Sequence, residues 1–196
     1  MRKLVVVGFM VLPLLVAGCN KGPAEAALKV ADEAVAKVVP EAQKFVPDQA
    51  KGLTDAAAAA RAKFNAGDYT GALVAANALP AKATEVETAA TAKKDEWMRV
   101  WKGFQESLPG VVAGITEKVT ALEAMKKLPK GIDAAGLAAA KAALTDVTAM
   151  WTKATEAFTA GDLKTALEYG GEVKAKAEGL TKMLEGVQMP PKAVKK

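Results

Sequence analysis

The sequence contains no histidine and only one cysteine among its 196 residues. The absence of imidazole excludes a Ser-His or Cys-His nucleophilic pair, a histidine-ligated metal or haem, and a histidine-based pH switch. A single cysteine cannot form a disulfide within the chain. Aromatic residues make up only 5% of the sequence, whereas 43 residues are alanine, so methyl groups supply much of the 51% hydrophobic content. These absences predict a non-enzymatic protein without a metal or a cofactor.

Long hydrophobic runs are also absent, except for one at the N-terminus that has the layout of a secretory signal. Two basic residues precede it, it extends from Leu4 to Val16, and small residues separate it from Cys19. The run is shorter than the ~20 residues of a transmembrane helix, and Pro13 interrupts it. We therefore predict that residues 1–18 form a cleaved signal peptide.

The four residues Val16-Ala17-Gly18-Cys19 resemble the lipobox of bacterial lipoprotein precursors. In that family the cysteine gains a diacylglycerol thioether and, after cleavage, an acyl chain on its amine. The resemblance implies that Cys19 is a lipid attachment site, the alternative being a buried core cysteine beside an ordinary signal peptide. Three acyl chains exceed the two signals that stable anchoring requires. Asn20 follows this cysteine, at the position that directs lipoproteins to one membrane or the other. By resemblance to the enterobacterial sorting rule, an aspartate there would retain the protein at the inner membrane, so Asn20 implies the outer membrane, facing the periplasm.

The charge of the chain gives no sign of a nucleic-acid partner. The leader holds two basic residues and no acidic ones, so its removal lowers the net charge from +5 to +3. The remaining lysines alternate with glutamates instead of clustering into a basic patch. We expect the partners to be the membrane, through the lipid, and an envelope protein or peptidoglycan.

Beyond the leader, apolar residues recur every three or four positions, and no segment shows the period-two alternation of a strand. The pattern predicts an all-α fold, an elongated antiparallel bundle of five to six helices whose apolar rows have the heptad spacing of coiled coils. We expect one domain over residues 23–187, after a lipidated linker (19–22) and before a disordered basic tail (188–196). In these features the chain resembles alanine-rich helical outer-membrane lipoproteins.

The most extended apolar row runs from Tyr69 to Phe104 and predicts one long helix with a kink at Pro80 that preserves the register, the alternative being two helices in line with a break at Pro80. Proline and glycine at 109 and 110 predict a turn, after which a helix starting near Gly110 folds back on the long one. Asp133 is a candidate N-cap for a later helix.

A segment of twenty residues occurs twice, at 64–83 and 158–177, with nine identities and no gap. Both copies contain Phe-x-Ala-Gly-Asp, in which the glycine suits a helix end and the aspartate caps the next helix. The segment is similar to the interhelix turn of tetratricopeptide repeats, a family that binds peptides in a groove. Its copies lie 94 residues apart rather than about 34, and a stacked array needs three adjacent units. We interpret it as a tightly capped helix hairpin, with a peptide-binding repeat domain as the alternative.

Three sets of residues are candidate sites. The first is an aromatic group that the continuous heptad register favours as bundle core, the alternative being a face that binds a peptide or an apolar ligand, as an adaptor or chaperone would: Trp97, Trp101, Phe104, Trp151. The second is a loose group of carboxylates, best explained as solvated helix faces because a ferritin-type site needs histidine: Asp95, Glu96, Glu106, Glu117. The third is Lys196, because the lysine-rich C-terminus is similar to the tail by which murein lipoproteins join peptidoglycan, the alternative being a disordered tail that only aids solubility.

Overall fold

A computed structural model describes residues 20–187, and 88% of this part of the chain is helical. The all-α prediction is confirmed, with five helices and no strand between residues 20 and 187. The signal peptide, Cys19 and the tail from 188 to 196 lie outside the described residues. The helices are α1 Lys21–Phe45, α2 Pro47–Asn65, α3 Tyr69–Glu123, α4 Ala134–Thr159 and α5 Leu163–Glu185.

The helices group into two compact units. Unit 1 extends to Lys93 and contains α1, α2 and the first part of α3. Unit 2 starts at Lys94 and contains the rest of α3 together with α4 and α5. Each unit therefore has three helical segments, and each contains one copy of the repeated turn.

Unit 1 is packed largely through alanine, which allows helix axes to approach at the near end of the usual 8–10 Å range. The buried residues of α1 and α2 include six alanines: Ala24, Ala31, Ala42, Ala50, Ala57 and Ala60. Ala72 at the start of α3 is also buried. Because each alanine buries little more than one methyl group, Leu28, Leu53 and Leu79 provide much of the remaining apolar contact.

The N-terminal helix begins earlier than the sequence suggested. We expected a linker through residue 22, but α1 starts at Lys21, and Pro23 lies in its first turn, where a missing N–H breaks no helical bond. Pro40 lies inside α1 without ending it. The break between α1 and α2 comes at Val46, and Pro47 opens α2.

Helix α3 continues through both Pro80 and Pro109, so the turn predicted at residues 108–110 is wrong. No separate helix starts at Gly110; α4 and α5 pack against the second part of α3 instead. The physical reason is the apolar row on either side of the proline: Leu108, Ile115 and Val119 are all at most 3% exposed. A proline costs ~3 kcal/mol in a helix interior, which is comparable to burying only one or two such side chains.

The two repeated turns have the same backbone geometry. Gly67 and Gly161 adopt φ values of 84° and 81°, and each preceding helix ends in a Schellman motif. The N–H of Asp68 donates to Lys63 O at 2.9 Å, and the N–H of Asp162 makes the equivalent bond at 2.9 Å. Both aspartates then cap the next helix, as predicted from the Gly-Asp pairs.

The repeat also extends into the core. With the sequence offset of 94, six buried positions of the first part of α3 match six buried positions of α5: Ala72, Ala76, Leu79, Ala83, Val86 and Ala90 against Ala166, Gly170, Val173, Ala177, Leu180 and Leu184. Leu53 and Ala60 of α2 similarly match Val147 and Ala154 of α4. The repeated element is therefore a capped helix hairpin with a conserved pattern of burial, as interpreted from the sequence.

The cap at Asp162 provides a pH-dependent contribution to stability. The hydroxyl and the backbone N–H of Thr165 donate hydrogen bonds to its carboxylate and lower its pKa. A carboxyl group whose pKa is lower in the folded than in the unfolded state stabilises the fold above the unfolded-state pKa and loses this contribution as the pH falls through the folded-state pKa. We expect Asp162→Ala to lower the free energy of unfolding by about 1 kcal/mol at neutral pH, and to cost progressively less in acid.

Urea unfolding followed by circular dichroism over a pH series measures this difference. Asp162→Asn is the matched control, because asparagine also caps helices but does not titrate. It should retain most of the stability at neutral pH and show less pH dependence. An Asp162→Ala deficit that stayed constant from neutral to acidic pH would contradict the role assigned to the charged cap.

Candidate functional site

Three of the four residues predicted as an aromatic face lie on the second part of α3, and the fourth, Trp151, lies on α4. Trp101 is only 1% exposed. Its ring stacks on Trp151 with centroids 5.6 Å apart and on Phe158 with centroids 4.9 Å apart, at interplanar angles of 20°. Two aromatic rings of α4 thus cover the surface of Trp101 that the sequence left open as a candidate ligand face.

Phe104 and Trp97 lie beside this stack and are half-buried. Phe104 and Trp151 pack against the apolar core of unit 2, which includes Leu108 and Val147. Phe104 also faces Gly170 of α5, where an added Cβ would lie 2.5 Å from the Cδ2 atom of the ring. The four candidate residues are therefore close to one another along α3 and α4, but three of them contribute to core packing, which favours the core interpretation.

One polar atom in this aromatic group lacks a partner. Among the described residues, the indole Nε1 of Trp101 is buried without a hydrogen-bond acceptor. Burying an unsatisfied donor costs about 1–3 kcal/mol. The stack therefore retains tryptophan at an energetic cost that a phenylalanine at the same position would avoid.

The carboxylate group predicted as solvated does not assemble into a site in the described part of the chain. No cluster of three or more acidic, histidine or cysteine side chains capable of holding a metal occurs between residues 20 and 187. Glu106 is 3.8 Å from Lys102 one turn earlier on α3, and both side chains are more than half exposed. An exposed pair of this kind contributes at most about 0.5 kcal/mol.

Two open grooves were not predicted from the sequence. The first, of about 410 Å³, lies between α1 and α2 in unit 1 and is lined by Val35, Val39 and Ala57. Arg61 and Asp32 close its edge through two short contacts, of 2.6 and 3.0 Å. The groove stays open because the side chains of Pro40 and of the alanines of α2 are too small to fill the space between the two helices.

The second groove, of about 240 Å³, lies between α3 and α5 in unit 2. Gly110 and Gly114 line it, and Val111 between them is 40% exposed. The spacing of four residues between the glycines places them on one face of α3, which was the available signal. The sequence interpretation missed it because residues 108–110 were assigned to a turn.

Asn20, the predicted sorting residue, has a structural contact. It precedes the first residue of α1, its carbonyl accepts a hydrogen bond from Ala24 N at 2.9 Å, and its side-chain amide donates to Thr70 Oγ1 at 3.0 Å. The start of α1 is thus joined to the start of α3. Cys19 and Lys196, the two predicted attachment residues, lie outside the described part of the chain.

None of the helices between residues 20 and 187 combines the length and the apolar character that crossing a bilayer requires. No protein-family model, curated protein or solved structure significantly matches the chain.

Proposed function

We propose that this protein is a non-enzymatic lipoprotein of the outer membrane, anchored at Cys19 and facing the periplasm, where its helical units have a structural or protein-interaction role. The observation that carries the proposal is the lipobox-like segment that ends at Cys19, two residues before α1 begins. This arrangement places all five helices after the cleavage point, so that removal of the signal peptide leaves them intact.

The packing of unit 2 supports a structural role over capture of a ligand by the aromatic face. A ligand stacked on Trp101 would have to displace Trp151 or Phe158, and the tryptophan is almost fully buried. Attachment of Lys196 to peptidoglycan is compatible with the same role, since it would join the anchored protein to the cell wall at its other terminus.

The Cys19→Ser variant tests the anchor. We expect it to lose incorporation of labelled fatty acid and to be lost from the outer-membrane fraction, because serine cannot form the thioether. Metabolic labelling with palmitate and fractionation of cell envelopes measure both effects. A Cys19→Ser product that remained lipid-labelled and membrane-bound would contradict the proposal.

Asn20→Asp is the companion variant. It leaves Cys19 unchanged, so lipid labelling should persist, while the sorting rule that Asn20 resembles predicts movement from the outer to the inner membrane. Density-gradient separation of the two membranes distinguishes the outcomes. Retention in the outer membrane would contradict the role of Asn20 as a sorting residue without affecting the anchor.

A further inference from the structure

The end of unit 1 at which α1 begins is held together by contacts among all three of its helical segments. The Asn20 side chain bonds to Thr70 at the start of α3. Tyr69, the first residue of α3, packs edge-on against Phe64 near the end of α2, with ring centroids 5.1 Å apart. We define the end surface as these four residues, Asn20, Phe64, Tyr69 and Thr70.

The distance from the lipid to this surface is short. A chain spans at most about 3.6 Å per residue, so the Cα atom of Lys21 lies within about 7 Å of that of Cys19. Asn20, between them, has φ −100° and ψ 0°, a folded conformation that shortens the span further. With acyl chains on Cys19 inserted in the bilayer, no flexible linker remains to separate the end surface from the lipid headgroups.

We propose that the end surface of unit 1 rests on the lipid headgroups of the membrane in which Cys19 is anchored. This inference rests on the proposed function, because it requires the lipid at Cys19. The partner is the headgroup layer of that bilayer, and the contact orients unit 1 with the start of α1 and the α2–α3 turn at the membrane.

The chemistry of the end surface suits a headgroup layer. Tyr69 and Phe64 are half-buried aromatic side chains, and tyrosine is enriched at membrane–water interfaces because it combines an apolar ring with a polar hydroxyl. Lys21 and Lys63 are exposed beside them and suit anionic headgroups. The carboxylate of Asp68 caps α3, because it accepts a hydrogen bond from Gly71 N at 2.8 Å.

The equivalent turn in unit 2 differs at the same positions. In the repeat, Leu163 replaces Tyr69 and is only 7% exposed, and Lys164 replaces Thr70. Both copies retain the Phe, the Gly-Asp pair and the capped geometry. The repeated turn therefore carries an interfacial aromatic residue in the copy whose neighbouring helix starts beside the lipid attachment site, and a core leucine in the other copy.

Depth-dependent fluorescence quenching tests the orientation. The full chain, lipidated at Cys19, is prepared with a single additional cysteine at Asn65→Cys or at Gln49→Cys, labelled with an environment-sensitive fluorophore and reconstituted into vesicles of phosphatidylethanolamine and phosphatidylglycerol. Both positions are exposed and lie on α2, separated by about 24 Å of helix. Asn65 adjoins the end surface, and Gln49 is at the opposite end of α2.

We expect a lipid with a spin label on its headgroup to quench the fluorophore at position 65 several-fold more strongly than at position 49. Equal quenching at both positions in vesicle-bound protein would overturn the proposed orientation while leaving the anchor standing. Failure of both variants to float with the vesicles would overturn the orientation together with the proposed function. Circular dichroism of the labelled variants confirms that the helices are retained.

Discussion

Replacement of Trp101 by alanine is expected to lower the free energy of unfolding of unit 2 by about 3–5 kcal/mol. The side chain is 1% exposed and stacks on two aromatic rings of α4, so truncation removes both contacts and leaves a cavity beneath Trp151 and Phe158. Aromatic pairs of this geometry add about 0.5–1.5 kcal/mol each to the stabilisation from buried area. Urea unfolding followed by far-ultraviolet circular dichroism measures the loss.

Two further variants separate packing from other causes. Val100→Ala changes the adjacent residue of α3, whose side chain is 45% exposed, and should alter the stability by no more than about 0.5 kcal/mol. Trp101→Phe keeps an aromatic ring and removes the unpartnered N–H, so relief of the cost of burying that donor should offset part of the lost area. We expect it to cost about 1 kcal/mol, well below the alanine variant.

The same measurement distinguishes the two interpretations of the aromatic face. A residue on an accessible binding surface can be truncated with little loss of stability, whereas a core residue cannot. Trp101→Ala protein that unfolded at the same urea concentration as the native chain would contradict the core interpretation and return Trp101 to the candidate binding face.

Local signals in the sequence predicted the capped ends of the helices correctly. Gly67 and Gly161 take positive φ angles, and Asp68, Asp162 and Asp133 accept hydrogen bonds from backbone N–H groups three residues later. These features depend on a few neighbouring residues, because the glycine has no Cβ to restrict φ and the aspartate reaches only its own helix. Short-range chemistry of this kind is readable from sequence.

Prolines were harder to interpret, because a local rule competes with packing at a distance. Pro80 lies inside α3, as expected for one long helix, but Pro109, assigned to a turn, lies inside the same helix. Pro40 likewise lies inside α1. In each case the apolar spacing continues across the proline, and burial on both sides exceeds the cost of the missing hydrogen bond. The continuity of the row from Phe104 through Leu108 to Ile115 was the available signal.

The aromatic face shows a second limit. Val100 and Trp101 both continue the spacing of three or four residues from Trp97, so both fit the apolar row that runs from Tyr69 to Phe104. In the fold Trp101 is buried and Val100 is 45% exposed. Which of the two residues is buried depends on the aromatic rings of α4 that pack against α3, and these rings lie about fifty residues later in the chain.

Substitution of Gly170 is expected to have the second largest effect on stability. This buried position of α5 faces Phe104, and a Cβ added there would lie 2.5 Å from Cδ2 and 2.8 Å from Cε2 of the ring. An aromatic ring packed against the core cannot yield as the end of a flexible chain can, so the added atom forces a shift of α5 or of Phe104. We expect Gly170→Val to lower the free energy of unfolding by about 3 kcal/mol.

Gly170→Ala gives a smaller loss, because alanine regains about 1 kcal/mol of helix propensity relative to glycine. Gly171→Ala is the matched control: an added Cβ at that neighbouring position meets no atom within 4 Å, so propensity should raise the stability by about 0.5–1 kcal/mol. If the steric requirement is specific to Phe104, alanine should lower the free energy of unfolding at Gly170 and raise it at the adjacent Gly171. Adding Phe104→Leu to Gly170→Ala should then recover part of the loss, and a double variant whose losses simply added would contradict the contact.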